Sequence, residues 1–198
     1  MMKRILIAIM CLMMLSGCLS PAKVTPSTRY LLNKMPCDIP VKRKRSIVLL
    51  VSLPETQPVY NTTQMAYSIR PYQISYYSLN QWAEAPEDMF QPLLVETMQQ
   101  THHFKAIVTP PFDGHYDYVL NTEIVELLQD YTCRLPVLRM TVRAQILRAS
   151  SARIIGTRTF SVVQPLSQQS PYGGVYAANA ATAQILNGIA VFGLEVIR

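Results

Sequence analysis

The chain has 198 residues, 49% of them hydrophobic and 15% charged, with a formal net charge of +6. That balance excludes an intrinsically disordered chain and is enough for one domain with a real core. The basic excess is too mild to imply a nucleic-acid partner.

Lys3 and Arg4 form a short positive start, Ile5 to Leu15 an uncharged apolar run, and Leu15-Ser16-Gly17-Cys18 closes it. This is the layout of a secretory leader ending in a lipobox. The small side chains let the backbone enter a signal peptidase, and the Cys18 thiol receives the lipid. A membrane span needs about 20 apolar residues, more than this run supplies. Residues 1–17 are therefore expected to be a lipoprotein signal peptide, and 18–28 a lipid-anchored tether. Residues 29–198 are expected to be the folded domain. Cys18 is the lipid-attachment site, palmitate included, and two or more acyl chains hold stably without further help. Leu19, not Asp, follows the cysteine, which favours the outer membrane over inner-membrane retention. The expected location is its periplasmic face. Without Lys3 and Arg4, sixteen basic residues face twelve acidic ones, a net +4.

Cys37 and Cys133 remain as an even pair in a compartment that permits disulfides. A bridge between them is expected; closing so long a loop stabilises by about 4–5 kcal/mol in the chain-entropy model. The alternative is two separate thiols.

Downstream of the tether, Arg29–Leu32 is expected as a short strand and Met35–Arg45 as a loop. Ile47–Leu53 is nearly all apolar and stops at Pro54, as a strand buried on both faces does. Glu55–Thr63 is expected as a loop, and Met65–Arg70 and Gln73–Tyr77 as strands broken at Pro71. Pro86, with Glu87 and Asp88 behind it, opens a helix. Phe90, Leu93, Leu94 and Met98 give that helix its core face. His103–Val108 is the next expected strand. Three more follow over Tyr116–Leu128, Val137–Arg148 and Ile155–Val163. In the first, Tyr118, Leu120, Ile124 and Leu128 are expected on one side. In the second, Leu138, Met140, Val142, Ala144 and Ile146 alternate with polar residues. In the third, Phe160 and Val162 are expected inward. Val175–Ile197 is a final helix, apolar nearly all round, which implies burial on both sides.

Several stretches in this order resemble one known family. Trp82-Ala83-Glu84-Ala85-Pro86 follows a Tyr-rich strand and opens a helix. His103-Phe104-Lys105-Ala106-Ile107-Val108 follows that helix. Then come Asp117-Tyr118-Val119-Leu120-Asn121-Thr122-Glu123-Ile124, Arg158-Thr159-Phe160-Ser161 and an alanine-rich last helix. With Arg29-Tyr30-Leu31-Leu32 near the start, the chain resembles the ABC-type transport auxiliary lipoprotein family, the paraquat-inducible protein C type. The resemblance implies a single α/β (α+β) domain: a mainly antiparallel sheet with two helices, similar to the N-terminal domain of TolB. It implies no catalysis and no cofactor. The implied partners are an ABC transporter component or a periplasmic protein with mammalian-cell-entry (MCE) domains. Such systems move lipids between two membranes, and the lipoprotein docks them at the outer one. The run Lys42-Arg43-Lys44-Arg45 and the charge-poor last helix depart from the family pattern.

Candidate sites follow from these residues. Trp82 and Glu84 are candidates for partner contact, against a packing role for the indole. Lys42, Arg43, Lys44 and Arg45 are candidates for anionic-lipid contact, against a solvated charge run. The second face of the last helix (Ala180, Ala183, Leu186, Ala190, Leu194) is a candidate homo-oligomer or partner surface, against a loop that covers it. His115 and Asp117 alone do not make a metal site. No nucleophile, base and oxyanion donor can be assembled. The expected function is a docking component of an intermembrane lipid-transport system. The alternatives are a structural envelope lipoprotein and a lipid-carrying module with its own apolar pocket.

Overall fold

A computed structural model describes residues 26–197. The leader, the lipobox and Cys18 lie outside the described residues. Nine strands form one sheet and two helices cover one of its faces. The strands are β1 (Thr28–Tyr30), β2 (Val48–Val51), β3 (Glu55–Thr56), β4 (Gln64–Ser68) and β5 (Ser75–Trp82), then β6 (Ala106–Val108), β7 (Tyr118–Asp130), β8 (Val137–Arg148) and β9 (Arg153–Pro165). The helices are α1 (Pro86–Gln100) and α2 (Pro171–Val196).

The sheet is mixed, with its longest ladders antiparallel and its short pairings mostly parallel. Its long strands β7, β8 and β9 are antiparallel neighbours. The other edge of β7 takes three short partners in turn, β2, β3 and β4, all parallel. β6 extends the sheet beyond β2, and β5 then β1 extend it beyond β4. β2, β3 and β4 follow one another in the same direction along β7, and the stretch from β4 to β7, with β5, α1 and β6, is the crossover that parallel pairing needs.

The alternation in β8 places Leu138, Met140, Val142, Ala144 and Ile146 in the core. β7 starts the same way with Tyr118, Leu120 and Ile124, but its register shifts between Ile124 and Glu126. The extra residue flips the phase, so Leu127 rather than Leu128 is buried beyond it. Leu49, Leu50 and Val51 of β2 are all buried, as a strand flanked on both sides requires. The stretch from His103 yields only the three residues of β6. Before it, Arg45 N donates to His103 O and Lys105 N to Ile47 O, which ties that chain to the β1–β2 connection.

α1 begins with Pro86 at its first position and an acidic first turn, and buries Phe90, Leu93, Leu94 and Met98. α2 begins at Ser170, whose hydroxyl accepts from Gly173 N at 3.1 Å. It lies over β8 and β9 and touches α1. Gly188 lets it approach β9: a Cβ there would stand 2.8 Å from the Phe160 ring. α2 has the length and apolarity of a membrane span, yet 61% of its most apolar window is buried inside the fold.

Candidate docking surfaces

The parallel pairing of β2 with β7 fixes where the basic run lies. β2 starts level with the beginning of β7, so the residues preceding β2 sit at that end of the sheet. The run is pinned there through its backbone. Lys42 N donates to Thr101 O at 3.0 Å and Arg45 N to His103 O at 2.7 Å. The His103 ring Nδ1 lies 3.0 Å from Arg43 O. Lys42 has a further role: its Nζ donates to Leu194 O at 2.7 Å, a cation on the negative end of α2. All four side chains reach the surface. One cleft beside them, about 470 Å³, is lined by Lys42, Lys44, His102 and Lys105. A second, about 400 Å³, is lined by Arg45, His115, Asp117 and Arg148. Asp117 accepts from Val48 N at 2.8 Å, and His115 lies 3.5 Å from it. Among the described residues no three metal-ligating groups come together.

β1 runs parallel to β5, with Thr28 beside Asn80 and Tyr30 beside Trp82. Its N-terminal end therefore points toward the β4–β5 hairpin, at the end of the sheet away from the basic run. The two ends are separated by the 13 residues of β7, about 43 Å at strand spacing. β1 thus leads the chain out toward the end of the sheet opposite Lys42–Arg45.

Trp82 closes β5 and is 3% exposed; its N–H donates to Thr63 O at 2.7 Å. The indole is a core side chain, packed as the corner between β5 and α1. Glu84, two residues on, is exposed. Cys37 and Cys133 are both exposed free thiols, so the expected bridge is not formed. Each belongs to a separately anchored loop. Cys133 lies in the β7–β8 turn beside Thr132 and Arg139. Cys37 lies in the chain between Lys34, held by Asn179, and Lys42, held by Leu194.

That same chain is latched to the second face of α2, against which Met98 of α1 also packs at Gly193. Asn179 Oδ1 accepts from Asn33 N at 2.9 Å and Lys34 N at 3.1 Å, and its Nδ2 donates to Leu31 O at 2.9 Å. Leu186, Ala190 and Leu194 are fully buried within the single chain. What α2 leaves exposed are Tyr172, Tyr176, Gln184, Val191 and Glu195.

One polar cluster has no counterpart in the sequence reading. The Gln129 side chain, buried at the start of α2, accepts from Tyr77 at 3.2 Å and Tyr131 at 3.1 Å. The two hydroxyls are 2.9 Å apart, and Tyr67 stacks on Tyr77 with ring centroids at 4.4 Å. Burial pushes the Tyr77 phenol far up, and the hydrogen bond to Tyr131 adds to it. Nearby, burial alone would raise the Asp130 carboxyl, but hydrogen bonds from Thr132 and Arg139 hold it below the usual range. These groups come from β4, β5, β7, β8 and the β7–β8 turn, and only the sheet register brings them together. The cluster braces the fold and offers no open chemistry.

Comparison with known proteins bears on these surfaces. The family model described as the ABC-type transport auxiliary lipoprotein component matches residues 30–190. The fold is similar to the crystal structure of protein XCC0632 from Xanthomonas campestris. The TM-score is 0.74 at 21% identity, covering 86% of this chain and 95% of that one. It is also similar to the crystal structure of an uncharacterized protein, with a TM-score of 0.67 at 15% identity over 85% and 99% of the two chains. Among curated proteins, no sequence matches.

Proposed function

Since the chain belongs to the family of ABC-type transport auxiliary lipoprotein components, a non-catalytic family, we propose that it is the docking component of an intermembrane lipid-transport system. Acyl chains on Cys18 hold it at the periplasmic face of the outer membrane. The folded domain presents a binding surface to a periplasmic ABC-transport or MCE-domain protein.

The observation that carries the reading is the basic end. Arg43, Lys44 and Arg45 are exposed, the backbone of Arg43 and Arg45 is held by His103, and they lie at the end opposite to the one toward which β1 leads the tether. A rigid cationic surface held out from the membrane suits an acidic protein partner, with steering that weakens as salt rises. Self-association through α2 would use its exposed strip, Tyr172, Tyr176 and Val191.

The test is affinity capture of the full-length chain from detergent-solubilised envelopes, with mass spectrometry of the Cys18 peptide and of the captured proteins. Diacylated or triacylated Cys18 and an ABC- or MCE-type partner are expected. Reversing Arg43, Lys44 and Arg45 to Glu should release the partner and keep the acylation. Undiminished capture by that variant contradicts the docking surface, and unmodified Cys18 contradicts the anchor.

A further inference from the structure

The end of the sheet opposite the basic run carries its own surface. β4 and β7 run parallel with Ser68 beside Asp130, so the β4–β5 hairpin tip and the β7–β8 turn project from the same end. Their exposed side chains are mostly apolar. Leu135 is 75% exposed, Ile69 53% and Ile74 41%, and Tyr72 is fully exposed. Arg70 and Arg134 accompany them, both exposed. Asp130, the acid among the described residues at this end, is already paired with Arg139 at 2.8 Å.

The hairpin tip holds its tyrosine at a conformational cost. Gln73 N donates to Arg70 O at 3.2 Å, with Pro71 second and Tyr72 third at φ 66°. This is the pattern of a type II turn, whose third position calls for glycine or asparagine. A bulky aromatic there is strained and packs against nothing in its own fold. An aromatic ring, branched apolar residues and arginines around them form the composition that favours a membrane–water interface.

The chain itself says which surface lies opposite. β1 points its N-terminal end toward this tip. From Asn80 back to Ser75 is five residues of β5, about 17 Å. The ten residues from Cys18 to Thr28 reach about 35 Å. The chain leaves β1 in the direction of this end and the tether can reach it, so a lipid-held N-terminus turns this end toward the bilayer.

We propose that Ile69, Tyr72, Ile74 and Leu135, flanked by Arg70 and Arg134, form a second membrane contact that seats the anchored domain upright on the lipid surface. It rests on the anchored reading above. The contact turns a single point of attachment into an oriented mount and holds the basic end out into the periplasm.

Cys133, exposed in the β7–β8 turn, supplies the probe, and Cys37 the control on a different loop. Full-length acylated protein is prepared as Cys37→Ser or as Cys133→Ser, and the remaining free thiol is labelled with a polarity-sensitive fluorophore. Both are reconstituted into phosphatidylethanolamine–phosphatidylglycerol vesicles, with or without nitroxide-headgroup lipid. Flotation reports the anchor independently of the label. The expected result is flotation of both, with a blue shift and nitroxide quenching at Cys133 only. Replacing Ile69, Tyr72, Ile74 and Leu135 by Ser should abolish the quenching while flotation and the melting temperature persist. Flotation with a Cys133 label that stays water-like overturns the contact but leaves the anchor standing, and assigns the face to a protein partner. Equal quenching at Cys37 overturns the orientation. Failure to float overturns both the contact and the anchor.

Discussion

Replacing Gly174 by Ala should destabilise the domain, although helix propensity alone argues the reverse. A Cβ at Gly174 would stand 1.9 Å from the Gln129 side-chain amide carbon. The amide has no free space to enter, since Gln129 is 2% exposed and sits between Tyr77, Tyr131 and the start of α2. Displacing it gives up its hydrogen bonds to Tyr77, Tyr131 and Pro171 O. At about 1 kcal/mol each, that is about 3 kcal/mol. Alanine returns at most about 1 kcal/mol of helix propensity. The net loss is about 2–3 kcal/mol, a fall in Tm of about 5–10 °C for a domain of this size. Thermal melts of the acyl-free protein, followed by circular dichroism, measure it. In a Gln129→Ala background the same Gly174→Ala change should be neutral or mildly stabilising, because the clash is gone. A Tm for Gly174→Ala at or above the parent refutes the reasoning. So does an equal loss in both backgrounds, which would place the cost outside the Gln129 contact.

Other outcomes follow from the same geometry. Trp82→Ala should cost about 3–5 kcal/mol by denaturant unfolding, as loss of a buried aromatic does, whereas Glu84→Ala should leave stability unchanged. Lys42→Ala should lower stability by about 0.3–1 kcal/mol through the exposed end of α2, while Lys44→Ala should not; equal effects would contradict the contact with Leu194 O. Asp130 is held below its usual range, so its contribution is present above about pH 3.9 and is lost as pH falls through its folded value. Asp130→Asn should flatten the acid limb of stability there, and an unchanged limb contradicts this. Burial, aided by the nearby Glu126 charge, pushes the Tyr60 phenol up to about 12. Its contribution is intact below about pH 10 and is lost as pH rises through the folded value. Tyr60→Phe should therefore move the alkaline unfolding midpoint upward.

How much was legible in the sequence depended on whether a signal was local. The α1 face and the β8 alternation depend only on residue spacing, and Phe90, Leu94, Met140 and Val142 are buried as that spacing requires. The β7 bulge is not written in spacing: Val125, the extra residue, is an ordinary strand residue, and pairing with β8 imposes the shift. β3 is two residues long because it fills the gap between β2 and β4 along β7, a demand no window of sequence contains. The apolar character of α2 correctly signalled burial on both sides. Its second face meets Met98 of α1 at Gly193 and a coil without periodicity, latched by Asn179, a residue that reads as a weak point in a helix. The basic run was visible as charge, but its direction relative to the tether required the parallel pairings of β1 and β2. The Cys37–Cys133 expectation failed because counting cysteines sets parity and compartment, not proximity.

The central claim is that the basic end receives a transport partner, and photo-crosslinking in intact cells tests it most directly. A photoreactive amino acid replaces Lys44 in the full-length chain, with Thr159, exposed on β9, as the control position. The account predicts an adduct from position 44 to an ABC- or MCE-type transport component, lost on reversal of Arg43 and Arg45 to Glu. No transport-component adduct from position 44, or the same adduct from position 159, would contradict it.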